Sequence, residues 1–275
     1  LFFLICITVG FASALVGSIV GLGGGVILVP ILLVLYEYND SFSWASAHQI
    51  VGLSLIIMIF TALSSSITYS RKQRIDYKSA FLFVIGGIPG GIIGSFSNQY
   101  VNTDSFSIYF GILMIMLFML FFIKRNKKVS NEHPTSKKWR IYREKVINNK
   151  VYTYSFSPIY VFIVAFLVGC LSGFFGIGGG SLTVPVMILF FGFPAHIATA
   201  TSMFMILFLS VFSSVTHFYL GHITWEYVWL FIPGAFIGGI VGAKINQRLS
   251  GPTVEWLLKI LLLIIGFRLI WQGIG

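Results

Sequence analysis

Charge is scarce in this chain. Only 9% of its 275 residues are Asp, Glu, Lys or Arg, and just 8 are acidic. A water-soluble domain carries about 25%, so a chain that is 57% hydrophobic has too little polar surface to cover itself in water. Cysteine is scarce too. Cys6 and Cys170 both lie inside apolar runs, without C-x-x-C spacing, so they offer no metal set and read as thiols packed like small hydrophobes. No carboxylate pair falls within the apolar runs, where the polar candidates are hydroxyls and isolated histidines. Chemistry needs a nucleophile or a proton-transfer pair, so the expectation is no enzyme, no cofactor and no bound metal. A nucleotide loop is absent as well: Gly21 to Val26 fails G-x-G-x-x-G, and no G-K-[ST] follows.

What the chain does have is apolar length. Val51 to Tyr69, Ile108 to Ile123, Ile159 to Phe175 and Leu257 to Ile270 are near-continuous apolar stretches. A membrane crossing needs roughly 20 such residues, and a bilayer-spanning backbone must satisfy itself as helices or a closed barrel. Continuous rather than alternating runs select helices, so the fold class is an all-α polytopic membrane protein. The opening "LFFLICITVGFASALVG" lacks a basic n-region and reads as the first membrane segment rather than a cleaved signal. The net charge of +10 is concentrated, with ten of the 18 basic residues between Lys124 and Lys150 and only Glu132 and Glu144 opposing them. That run joins two apolar halves. It reads as a cytoplasmic linker obeying the positive-inside tendency, with a lipid-binding role as the lesser alternative and no nucleic-acid partner.

The halves resemble one another. "GLGGGVILVP" at Gly21–Pro30 returns as "GIGGGSLTVP" at Gly176–Pro185. "AHQIVGLSL" (Ala47 to Leu55) returns as "AHIATATSM" (Ala195 to Met203), and "SSITY" (Ser65 to Tyr69) as "SSVTH" (Ser213 to His217). "IPGGIIG" (Ile88 to Gly94) pairs with "IPGAFIG" (Ile232 to Gly238). Four matches in one order imply a duplication. The expected organisation is a first repeat over 1–123, a linker over 124–157 and a second repeat over 158–275. Each repeat has about five hydrophobic segments, giving eight to ten membrane helices, some short or broken. Loop charge sets their orientation. "SRKQRIDYK" is basic while its counterpart "YLGHITWE" has no Lys or Arg, and "NQYVNTDS" has none while its counterpart "AKINQRLSG" has two. The pattern flips between halves, which predicts inverted repeats with both termini outside.

Short, glycine-interrupted segments in inverted repeats mark transporter substrate sites. A helix starting at each cluster presents unpaired N–H groups and the positive end of its dipole, and glycine lets an oxyanion approach the backbone. The candidate substrate-binding residues are Gly23, Gly24, Gly25, Gly178, Gly179, Gly180 and Ser181, with pure helix packing as the rival reading. His48 and His196, at equivalent places, are candidates as anion donors or proton carriers, or as interfacial caps. Ser54, Thr201 and Ser202 are candidate hydroxyl donors, against intrahelical bonding to carbonyls. Lys259 is explained by a local pair with Glu255, and Arg268 by snorkelling.

The doubled G-x-G-G-G…P motif, each copy followed by "AHxxxxxS", resembles the TauE/SafE family of membrane transporters over nearly the whole chain. The resemblance implies a multi-pass carrier of small sulfur-containing anions such as sulfite, sulfonates or sulfoacetate in the cell membrane. Members are usually described with seven or eight spans, so the short segments are counted differently there. Few fixed charges in the spans agree with reversible anion binding through N–H and hydroxyl donors. A proton-coupled secondary transporter working by alternating access is the first reading, and an anion channel using the same donors is the alternative. A single chain and a homodimer both stay open.

Overall fold

The computed structural model describes residues 2–120, 141–147 and 150–274. The basic run over 124–140 lies outside the described residues. The helices in chain order are α1 Phe2–Val20, α2 Gly25–Tyr38, α3 Ala47–Ser70, α4 Tyr77–Asn98 and α5 Thr103–Leu120. After a β-hairpin (β1 Ile141–Ile147, β2 Lys150–Phe156) come α6 Pro158–Phe175, α7 Gly180–Leu189, α8 Ala195–Tyr219, α9 Trp225–Asn246 and α10 Gly251–Ile274. Six of them (α1, α3, α4, α6, α8 and α9) are long and apolar enough to cross a membrane. The second helix of each half is the short one, at 14 and 10 residues. α10 carries Glu255 and Lys259 as an i,i+4 ion pair at 3.3 Å, the local pairing that their spacing predicts.

The two halves are inverted relative to one another. His48, at the start of α3, stacks on His222, just beyond the end of α8. At the other end the Asp76 N–H, just beyond α3, donates to Thr201 Oγ1 near the start of α8 at 3.0 Å. The equivalent helices α3 and α8 therefore run antiparallel in the centre. Around them α1 packs on α9 and α6 packs on α4, so the first helix of each half binds the fourth helix of the other.

Glycine makes those outer pairs close. A Cβ at Gly86, Gly90 or Gly94 of α4 would run into the Phe162, Phe166 and Cys170 carbonyls of α6. One at Gly234, Gly238 or Gly242 of α9 would meet the Ile7, Phe11 and Leu15 carbonyls of α1. These contacts correct the sequence alignment there. Gly90 corresponds to Gly238, a spacing of 148 residues shared with His48 and His196, rather than the 144 given by matching "IPG" to "IPG". Glycine at every fourth residue lets the pattern match itself after one helical turn.

Residues 141–156 belong to the segment read as a linker, and their hairpin is antiparallel, with Ile141 opposite Phe156. Tyr154 and Phe156 are buried, and both rings pack on Phe193 in the α7–α8 loop, at 4.0 and 5.9 Å. The Tyr154 hydroxyl donates to Asp76 Oδ2 at 2.6 Å, and Asp76 also caps α4 by accepting from Ser79 N at 3.3 Å. Burial pushes the Tyr154 phenol well above its usual range, and Asp76 adds to the shift. A hydrogen bond to a charged group is worth about 1.5–3 kcal/mol. Tyr154→Phe should therefore loosen the hairpin without unfolding the bundle. Amide exchange over 150–156 is expected to quicken by about tenfold or more, and unchanged protection would show that ring packing alone holds the hairpin.

Candidate functional site

Each glycine motif is a tight turn that starts a short helix. Gly21, Gly23 and Gly24 have φ of 83°, 80° and 92°, and Gly176, Gly178 and Gly179 have φ of 68°, 62° and 76°. Three glycines per motif are therefore required by left-handed backbone, which costs other residues about 1–2 kcal/mol each. The fourth has ordinary φ and is required by space. A Cβ on Gly25 would lie 2.6 Å from the Gly176 carbonyl, and one on Gly180 would lie 2.5 Å from the Gly21 carbonyl. The two turns thus cross, each helix start facing the other motif's first glycine.

The crossing leaves donors without acceptors. The Gly17 carbonyl takes the N–H groups of Gly21, Leu22 and Gly23, and the Ser172 carbonyl takes those of Gly176 and Ile177. The next N–H groups to find partners are those of Ile27 and Leu28, on the Gly24 carbonyl, and of Leu182 and Thr183, on that of Gly179. Among the described residues, the N–H groups of Gly24, Gly25, Val26, Gly178, Gly179, Gly180 and Ser181 have no hydrogen-bond acceptor. All seven residues are buried. Ser181 Oγ, in the first turn of α7, is also buried and unpartnered. Buried N–H groups are paired in the great majority of cases, and unpaired ones beside a helix N-terminus have the chemistry to receive an anion.

Two of the hydroxyls brought to this centre, those of Ser54 and Ser202, already have acceptors. Ser54 Oγ donates to the Gly176 carbonyl at 2.8 Å, and Ser202 Oγ, its counterpart, donates to the Gly21 carbonyl at 2.8 Å. Each repeat thereby ties down the other repeat's turn. Ser202 also lies 2.8 Å from the Thr199 carbonyl, the intrahelical alternative. Thr201 stands apart, accepting from Asp76 N beside the α3–α4 loop. Met58 and Ile206, also counterparts, fill the space between the turns, because a Cβ on Gly23 or Gly178 would strike both side chains. A cavity of about 280 Å³ lies elsewhere, against α2 and α10, lined by Ile27, Pro30, Ile31, Ile264 and Arg268 among others.

The histidines stand at the two ends of the central helix pair. His48 Nδ1 lies 3.0 Å from Asn98 Oδ1, while Asn98 Nδ2 donates to the Phe174 carbonyl at 2.9 Å. At the opposite end Asn246 stands beside His196 and donates from Nδ2 to the Ile19 carbonyl at 2.5 Å. There the Asn246 amide supports the His196 ring, although neither His196 Nδ1 nor Asn246 Oδ1 meets a partner at full hydrogen-bond geometry. Four residues that sequence reasoning did not single out complete these ends. Tyr69 donates to the Ser18 carbonyl at 2.7 Å, and its counterpart His217 meets the Gly173 carbonyl at 3.2 Å. Arg74 has His222 as its counterpart, 148 residues on. The Arg74 charge acts on His196, and the Arg74 guanidinium donates to the Gln247 carbonyl at 3.2 Å. His222 stacks on His48, with ring centroids 5.1 Å apart, and faces His217 Nδ1 at 2.9 Å. Burial, and after it the nearness of His48, lowers the pKa of His222 below the usual imidazole value.

Residues 6–269 match the family described as Sulfite exporter TauE/SafE. The probable membrane transporter protein YunE of Bacillus subtilis is 40% identical over 99% of this chain and 98% of its own length. A probable membrane transporter protein of Xylella fastidiosa is 26% identical over 96% of this chain and 92% of its own. Another, from Methanocaldococcus jannaschii, is 26% identical over 94% and 92%. No solved structure matches the chain.

Proposed function

We propose, from the premise that the chain belongs to the sulfite exporter TauE/SafE family, that this membrane transporter is a secondary, proton-coupled carrier of small sulfur-containing anions such as sulfite, sulfonates and sulfoacetate. One observation supports the reading: among the described residues, seven buried N–H groups in the two crossing glycine turns have no acceptor. The donors are neutral, and the two helix N-termini supply roughly half a positive charge each. That suits a small oxyanion held briefly, where tight phosphate binding calls for arginine clusters. The site residues in this reading are Gly23 to Gly25, Gly178 to Gly180 and Ser181, with Ser54 and Ser202 shaping the turns and His48 and His196 at the two mouths. Met58 and Ile206 close the centre, which favours a carrier that must rearrange over an open pore.

In this reading the Arg74 end, with the basic loop after α3, faces the cytoplasm, and the His222 end and both termini face outside the cell membrane, as the positive-inside tendency supports. Uptake of labelled sulfite, methanesulfonate and sulfoacetate into proteoliposomes, with and without a pH gradient, tests the function. Saturable uptake of at least one, enlarged by an inward proton gradient, is expected. Verified insertion without uptake of any of them would sink the proposal. A rate too fast to saturate and indifferent to the gradient would favour the channel.

A further inference from the structure

Tyr69 and His217 are counterparts, and so are Arg74 and His222; the pairs sit at opposite ends of α3 and α8. One mouth therefore holds a buried guanidinium whose charge is permanent. The other holds an imidazole whose charge depends on pH. The hydrogen bonds around it fix where a proton can go. His217 Nε2 faces a carbonyl oxygen, so it carries a hydrogen and leaves Nδ1 as acceptor. His222 Nδ1 is then the donor in the 2.9 Å contact between them. Asn98 donates from Nδ2 to Phe174, so its Oδ1 accepts from His48 Nδ1. The nitrogens left with free lone pairs are His48 Nε2 and His222 Nε2, on two stacked rings. Neither has a hydrogen-bond partner among the described residues.

Among the described side chains, no carboxylate acts on His222. α3 brings His48 to His222, α8 brings His217, and α4 brings the neutral Asn98 behind His48. α6 offers the Gly173 and Phe174 carbonyls, and α5 offers Thr103, which accepts from Ala47 N at 3.4 Å. Glu226, at the start of α9, is exposed. The Gly52 position of α3 lies directly under the His222 carbonyl. From there α3 leads to Ser54 and the glycine crossing, about 9 Å from His48 by helical rise.

We propose that His222, with His48, is a proton-operated receptor for the small oxyanion, the pH-dependent counterpart of Arg74 at the opposite mouth. One proton on the stacked pair creates the cation that an anion meets there; above the titration range that mouth has no cation to offer. The anion and the proton therefore bind together at this end, whereas the Arg74 end takes the anion at any pH. The proposal rests on the carrier reading above.

The test is methanesulfonate uptake into proteoliposomes, with equal pH on both faces, from about pH 5 to about pH 8, the range over which imidazoles titrate. Methanesulfonate stays a monoanion throughout. Wild-type uptake should fall as pH rises, approaching about tenfold per unit above the His222 midpoint. His222→Arg should give high uptake without pH dependence, and His222→Gln low uptake without pH dependence. Retention of the wild-type slope by His222→Arg overturns the proposal while leaving the carrier intact.

Absence of wild-type uptake instead overturns the carrier reading. A second readout then decides the receptor, by NMR titration of the imidazoles in the full chain in detergent. Methanesulfonate should raise the His222 midpoint, because a bound anion stabilises the imidazolium. A midpoint unmoved by methanesulfonate overturns the proposal.

Discussion

Alanine at Gly25 or Gly180 will abolish saturable anion uptake while the chain still inserts in the membrane. Helix propensity predicts the opposite of harm, since alanine is better than glycine in a helix by about 1 kcal/mol. Nor does conformation forbid it, because these two glycines, unlike the three before them in each motif, have ordinary φ. The obstacle is what the new methyl meets. At Gly25 it lies 2.5 Å from Met58 Sδ, 2.6 Å from the Gly176 carbonyl and 3.0 Å from Ser54 Oγ. At Gly180 it lies 2.5 Å from both the Gly21 carbonyl and Ile206 Cδ1. Met58 and Ile206 can turn aside, but the carbonyls belong to the opposing turn and move only if that turn moves. Moving it strains the Ser54 or Ser202 bond that holds it. Leaving a buried carbonyl unpaired costs about 1–3 kcal/mol, a loss the bundle can bear and an anion site cannot. The methyl also stands among the unpaired N–H groups and denies an oxyanion its approach. The measurement is uptake per inserted molecule in proteoliposomes. Wild-type uptake by either variant removes the crossed turns from the transport pathway.

Parts of this organisation can be read from the chain and parts cannot, for physical reasons. Apolar length and the doubled glycine motif are local features, so the membrane class, the repeats and the short second helices are visible in the sequence. His48 and His196 keep the same identity in both halves and could be found by matching. Arg74 and His222 hold equivalent places with different side chains, which hides them from any search for likeness. Asn98 and Asn246 are identical, but each acts on a carbonyl of the other half, Phe174 or Ile19. That contact exists only once the halves are interlocked. Ser54 and Ser202 are legible as polar residues in an apolar helix. That each spends its hydrogen on the opposing glycine turn follows from the crossing and not from either helix alone. Tyr154 and Phe156 alternate as strand residues do, but Lys and Arg crowd the segment before them and give it the look of a solvated loop.

Leucine at Gly90 or at Gly238 will have a different and larger effect: the chain should fail to yield folded protein at all. At Gly90 even a Cβ runs into the Phe166 carbonyl and comes within 2.9 Å of the Cys170 N. At Gly238 it runs into the Phe11 carbonyl and lies 3.0 Å from the Leu15 N. Overpacking a core costs about 1–3 kcal/mol when side chains can shift. Here the obstacles are backbone atoms of α6 and α1, which cannot rotate away. Relief requires the helix axes to separate along their whole contact, including Gly86 and Gly94 on one pair and Gly234 and Gly242 on the other. Apolar attraction offers little compensation in a bilayer, because lipid tails are as apolar as the helix surfaces and close packing must supply the association. Substitutions on the lipid face of the same helix set the baseline: Ile85 and Ile93 of α4 are 61% and 52% exposed, and alanine there should leave yield unchanged. Monodisperse protein after detergent extraction is the measure. Loss at Gly90 and Gly238 together, with Ile85→Ala and Ile93→Ala intact, is what two equivalent interfaces in inverted halves require. A glycine variant that extracts as well as wild type would mean that α4 and α6, or α9 and α1, do not pack backbone to backbone. The interlock that holds the two glycine turns against each other would then lose its support.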